Sequence, residues 1–227
     1  MLFRSAVPML FSTETCPSEK RVVGSLRDML QEAGSLIREK SFVLFLAIMA
    51  LLTIPVWAYV SISSYVYIND FGLSNLMYGA FYAVGSVLSF LGPILYILLN
   101  KAMQTSHVVT FAIILAAIGG VELLTTGKIS PVLFLLAVGP LMIAEGVIRP
   151  LGLVVLLEEH ADKAGTASSL IHFVLNVVGS VGASLATLNW LSQIAGAGGI
   201  TVCCVVAAVS CWMVIVRRKL LKRRLGF

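Results

Sequence analysis

Apolar residues fall into six blocks of about twenty, each bounded by a short polar turn, at 42–67, 75–99, 107–124, 131–157, 166–188 and 199–216. A helix rises about 1.5 Å per residue, so each block is long enough to cross a bilayer core of roughly 30 Å. Ten-residue segments of strict apolar–polar alternation are absent, which argues against a membrane barrel. The turn Asn69-Asp70-Phe71-Gly72-Leu73-Ser74 is rich in turn formers and ends on a residue suited to cap the next helix. Pro131 opens the fourth block at a first-turn position, and the polar run 158–165 closes it. Ahead of the first block, residues 12–40 are polar and basic. Within them, Leu26, Met29, Leu30, Ala33 and Ile37 share one side of a predicted helix over 25–37, which could lie on a membrane surface. The predicted organisation is a linker with this amphipathic helix at 1–40, a six-helix bundle at 41–217 and a basic tail at 218–227.

Composition points the same way. Of 227 residues, 59% are hydrophobic and only 12% charged, with a mean hydropathy of +0.98. A soluble domain of this length needs more charge to cover its surface. The fold class is therefore all-α, a polytopic membrane protein with six transmembrane helices. The net charge of +5 does not suggest nucleic acid, because the basic residues sit beside hydrophobic ends rather than among aromatics. They do predict orientation. Six crossings put both termini on one side. Placing that side in the cytoplasm leaves Lys128 as the only outer Lys or Arg, and the predicted location is the cell membrane.

Enzyme chemistry finds little support. There is no Walker A loop, nucleophile elbow, His-Glu-x-x-His or complete dinucleotide fingerprint, so neither a cofactor nor ATP-driven work is expected. Cys16, Cys203, Cys204 and Cys211 lack metal-ligand spacing, and the last three read as packing residues of one apolar helix. Gly196-Ala197-Gly198-Gly199 reads as a flexible entry to the last helix.

The polar residues inside the blocks carry the functional signal. Glu145 and Arg149 are an i, i+4 pair near the middle of the fourth block, placed to offset each other's charge. A charge at that depth costs at least about 2.5 kcal/mol on insertion scales, so such residues usually face other helices or a wet cavity. The pair is either a strut that pins the bundle or a charge that changes partner between transport states. In the fifth block Ser168, His172, Asn176, Ser180, Ala183 and Thr187 recur along one face. Ser180, with Gly179, Gly182 and Ala183, reads as close helix packing. His172 and Asn176 read as either cavity wall or satisfied interior groups. In the first block, Trp57, Tyr59 and Ser63 are candidate cavity walls beside Pro55, with an interfacial belt as the alternative for the outer aromatics. Tyr78, Tyr82, Ser86 and Ser89 repeat that spacing in the second block.

Four stretches carry a family resemblance. They are Glu14-Thr15-Cys16-Pro17-Ser18-Glu19-Lys20-Arg21, the join 64–74 with Tyr78-Gly79, the segment 146–157 with Arg149-Pro150, and Ala164-Gly165-Thr166-Ala167-Ser168-Ser169-Leu170. The chain resembles the C-terminal half of a twelve-helix major facilitator superfamily transporter, of the bicyclomycin/chloramphenicol-resistance type of drug:proton antiporter. That resemblance implies a six-helix bundle of inverted three-helix repeats and export of small amphipathic compounds in exchange for protons. It also implies a complementary six-helix half or a second copy as partner, since the family's first six helices have no counterpart here. A truncated frame, a split transporter, a homodimer of halves and a non-transporting interaction or scaffold protein are the readings open, with truncation or a split gene taken first.

Overall fold

The computed structural model describes residues 26–218, and every regular element among them is helical. Helix α1 spans Leu26–Arg38 and α2 spans Lys40–Tyr65, continued by a π-helical turn at Val66–Asp70. Then come α3 (Asn75–Ala102), α4 (Thr105–Thr125) and α5 (Pro131–Glu159). A short 3₁₀ turn, Ala161–Lys163, leads into α6 (Ala164–Ala186) and finally α7 (Gln193–Arg217). The six helices α2 to α7 are long and apolar enough to cross a membrane. The segment 14–21, Cys16 and the tail beyond residue 218 lie outside the described residues.

Local chemistry sets several boundaries. The Ser74 hydroxyl accepts the Met77 N–H at 3.3 Å, and the Ser130 hydroxyl accepts the Leu133 N–H at 3.2 Å. Each satisfies one of the amide donors that a helix start leaves without a partner. Gly72, in the turn between α2 and α3, has φ of 67°, a left-handed conformation that glycine enters without penalty. The last helix begins at Gln193, six residues before the expected Gly199. Ser192 caps it by accepting the Ala195 N–H. The glycines taken for a flexible entry lie inside α7, where Gly196 admits Trp190 and Gly198 admits Leu124 at distances no larger residue would permit.

The spans pack as two interleaved triplets, α2–α3–α4 and α5–α6–α7. Each middle helix leaves its own triplet for the first helix of the other: α3 packs on α5, and α6 on α2. The last helices do likewise, α4 on α5 and α7 on α2. α2 meets α5, and α4 meets α7. Exchanging one triplet for the other reproduces the same set of pairings, the contact pattern expected of an internal repeat. Consecutive helices such as α3 and α4, or α6 and α7, touch little.

Small residues permit the closest of these contacts. A β-carbon at Gly92 would stand 2.5 Å from the Gly146 Cα, so α3 and α5 meet backbone to backbone. Gly119 of α4 faces the Ala137 carbonyl of α5, and Gly182 of α6 faces the Ile54 carbonyl of α2. Without a hydrophobic drive between helices in lipid, this close packing is what holds a membrane bundle together.

Candidate intramembrane polar face

Glu145 and Arg149 make an ion pair, Arg149 Nη1 to Glu145 Oε1, at 3.3 Å. Their direction follows from helix registry. The exposed apolar residues Leu136 and Val154 each lie roughly two and a half turns from Glu145, on the opposite side of α5. Gly152, two turns beyond Glu145 on the same side, meets Met49 of α2. Gly146, next to Glu145, meets α3. The pair therefore stands on the side of α5 turned toward α2 and α3, away from its exposed apolar stripe. Its side chains are 16% exposed for Glu145 and 37% for Arg149. The guanidinium is poorly satisfied: the Arg149 Nε–H is buried and finds no hydrogen-bond partner among the described residues.

Helix α6 divides into two faces. Ala167, Ile171, Leu175, Gly179, Gly182 and Ala186 are buried at three- or four-residue intervals, and this face packs on α2 through Gly179 against Trp57 and Gly182 against Ile54. His172, Asn176, Ser180 and Ser184 are exposed on the other side, and Ser168 is half-buried. Their hydrogen bonds stay on α6. Asn176 donates to the His172 carbonyl at 2.9 Å and Ser180 to the Asn176 carbonyl at 3.0 Å. The expected packing role thus divides, with Gly179 and Gly182 in the contact and Ser180 on the open side. One helical step turns a side chain by about 100°, so neighbours such as Gly179 and Ser180 cannot share a face.

On α2, Trp57 is 38% exposed beside α6, whereas Tyr59 and Ser63 are enclosed in the bundle. Ser63 bonds the Val60 carbonyl and the Tyr78 hydroxyl. Tyr59 and Tyr67 belong to an aromatic cluster with Phe81 and Phe134, Tyr67 stacking on Phe81 at a centroid distance of 5.1 Å. Both tyrosine hydroxyls are buried, and among the described residues neither has a hydrogen-bond partner of good geometry. A cluster that dense comes from the packing of α3 and α5 on α2, which single-helix periodicity does not reveal.

Two features lie outside the spans. A cavity of about 670 Å³ opens at the α3-start end of the bundle, with Asp70, Lys128 and Trp190 in its wall. At the opposite end, His160 is 7% exposed and links Glu39 to the end of α5. In the sequence His160 is only one residue of a polar turn, and no spacing joins it to Glu39, 121 positions away. Among the described residues no group of three or more His, Cys, Asp and Glu could hold a metal ion.

The chain is similar to the uncharacterized MFS-type transporter YdgK of Bacillus subtilis (strain 168), with 25% identity over 178 residues. The match covers 78% of this chain and 44% of that protein, so the chain spans less than half of the relative's length. No family model matches, and no solved structure matches.

Proposed function

We propose that this chain is a six-helix half of a major facilitator superfamily carrier that exports small amphipathic compounds in exchange for protons. It works in the cell membrane with a complementary half or a second copy, both termini in the cytoplasm. The resemblance to the MFS-type relative supports the transport class, and the interleaved triplets match the repeat architecture that carriers use to build a central path. The observation that carries the reading is the incomplete pairing of Arg149. A guanidinium offers five donors and binds a carboxylate most firmly through two parallel bonds. Here one loose contact to Glu145 leaves a buried donor unused, which suits a group that changes partner better than a fixed strut.

In this reading the open side of the bundle lines the path. Glu145 and Arg149 on α5, His172, Asn176 and Ser168 on α6, and Trp57 on α2 contribute to it, with Tyr59 and Ser63 supporting the wall from behind. A bound compound moves the equilibrium between inward- and outward-open states only through contacts that differ between them. Arg149 can supply such a difference by exchanging Glu145 for another acceptor.

Cells holding the chain together with a complementary six-helix half should extrude ethidium, and a protonophore should abolish the extrusion. The chain alone should do so only if it pairs with itself. Efflux unchanged after joint substitution of Glu145, Arg149 and His172 by glutamine would remove their roles. Water access offers an independent check. With the native cysteines replaced by serine, Asn176→Cys should react with a membrane-impermeant maleimide, while Leu175→Cys, on the buried face, should not. An unreactive Asn176→Cys would mean that this side of α6 faces lipid or protein and lines no path.

A further inference from the structure

His160 sits where α5 ends, its ring held on both sides. Nδ1 lies 2.9 Å from the Leu156 carbonyl oxygen, and Nε2 lies 2.8 Å from Glu39 Oε2. Both partners are acceptors, so both ring nitrogens must carry hydrogen for both bonds to form. The geometry therefore belongs to the imidazolium. Glu39 is held in turn: its other oxygen, Oε1, accepts from Ser41 at 3.3 Å. Phe42 packs edge-on against the imidazole at a centroid distance of 5.3 Å.

Glu39 is the single residue between α1 and α2, so the His160 bond fixes where α1 leaves the bundle. Two further contacts tie α1 to the start of α6. Lys163 Nζ donates to Ser35 Oγ at 3.1 Å, and Thr166 Oγ1 donates to Glu32 Oε2 at 2.7 Å. Leu36 is the buried apolar anchor of α1, whereas Met29, Leu30 and Ile37 remain exposed. Among the described side chains one buried leucine and a few polar bonds hold α1, a weak attachment of which His160 is the most enclosed polar member.

We propose that His160 is a proton-binding site whose occupancy fastens α1 to the turn between α5 and α6. With the proton bound, the ring bridges Leu156 and Glu39. When the proton leaves, a neutral ring has one N–H, and either the carbonyl or the carboxylate faces a lone pair. In either tautomer Glu39 loses its charged partner, so the junction at Glu39 loosens and α1 is released. The proton is the ligand, and no other chemistry is needed. This inference does not depend on the transport reading.

The charged groups around His160 set the direction. Burial pulls its pKa down, but the bond to Glu39, the bond to the Leu156 carbonyl and the charges of Glu39 and Glu159 outweigh it and hold the pKa above the ordinary histidine value. Asp162 and Lys163 lie in the turn that follows, and Lys163 and Glu32 bond across the same junction, to Ser35 and Thr166. A raised pKa in the docked state means that docking gains from the proton fully below about pH 6.5, the ordinary histidine value, and loses that gain as pH rises through the raised value.

Spin labels on Gln31→Cys and Ala161→Cys, with the native cysteines replaced by serine, read the docking in the full chain. A single narrow distance is expected at pH 5.5, with a second, broader population growing in above neutrality. His160→Gln should remove the pH dependence and raise the undocked fraction by roughly tenfold at low pH, the population change matching loss of one hydrogen bond to a charged group. Glu39→Gln should shift the midpoint to lower pH. A distance distribution unchanged from pH 5.5 to 9, or pH dependence that survives His160→Gln, would overturn the proposal. If a variant fails to fold, the imidazole carbon signals of the unsubstituted chain decide the same question, because one histidine must titrate above the ordinary value and none doing so would also overturn it.

Discussion

Alanine at Gly92 should destabilise the bundle severely, whereas the same change at Gly79 of the same helix should leave it intact or slightly firmer. Both substitutions add one methyl group to α3 and both improve intrinsic helix propensity by up to about 1 kcal/mol. Their surroundings differ. At Gly79 an added β-carbon meets nothing within 4 Å. At Gly92 it would stand 2.5 Å from the Gly146 Cα, 2.7 Å from its carbonyl carbon and 2.9 Å from the Ile143 carbonyl oxygen. All three obstacles are backbone, so no rotamer change relieves the clash and α3 must move off α5. Overpacking where side chains can adjust costs about 1–3 kcal/mol, and a contact that only helix displacement can relieve belongs at or above the top of that range. For a chain of this size, 3 kcal/mol corresponds to a fall of roughly 6–12 °C in the unfolding midpoint. Thermal unfolding in detergent, followed by size-exclusion elution, measures it. Equal midpoints for the Gly92→Ala and Gly79→Ala variants would show that α3 and α5 do not meet at these glycines.

That contact marks the limit of what the sequence made legible. The six spans could be read because each is a long apolar run, a signal that needs no knowledge of neighbours. Their ends are harder to read where composition misleads. The glycines at 196 to 199 suggest flexibility, yet Trp190 and Leu124 pack against them and keep α7 helical from Gln193. Which helix meets which could not be read, because Gly92 and Gly146 look in isolation like any other glycines in apolar runs. The candidate residues divide for the same reason. Periodicity reveals the Glu145–Arg149 spacing and the polar line of α6. It could not separate Ser180 from its buried neighbour Gly179, or place Tyr59 and Ser63 in the core, because burial depends on the partner helix. The Glu39–His160 bond depends wholly on the fold.

Breaking the intramembrane ion pair from one side should be worse than removing it altogether. Arg149→Leu leaves the Glu145 carboxylate alone in the more enclosed half of the pair, 16% exposed, on a shorter side chain than that of arginine. Glu145→Leu leaves Arg149, which is 37% exposed and has a longer stem along which to extend its charge outward. Removing one member of a buried pair costs about 3–5 kcal/mol. The partial exposure here puts Arg149→Leu near the lower end and Glu145→Leu below it. The double variant Glu145→Leu/Arg149→Leu carries no charge to desolvate, and replacing a buried pair with apolar residues is often neutral or stabilising. The double-mutant cycle should therefore show a coupling close to the sum of the two single losses, at least about 3 kcal/mol, at the top of the range for residues in direct contact. Unfolding midpoints of the four forms measure it, and independent, additive losses would mean that the two charges do not depend on each other in the membrane. Efflux measured on the same four forms then separates a strut from a moving charge. A strut requires only that the double variant fold, so transport should return with stability. A charge that exchanges partners during the cycle predicts a double variant as stable as the unsubstituted chain and inactive. Transport at the unsubstituted rate in a stable double variant would confine Glu145 and Arg149 to a structural role.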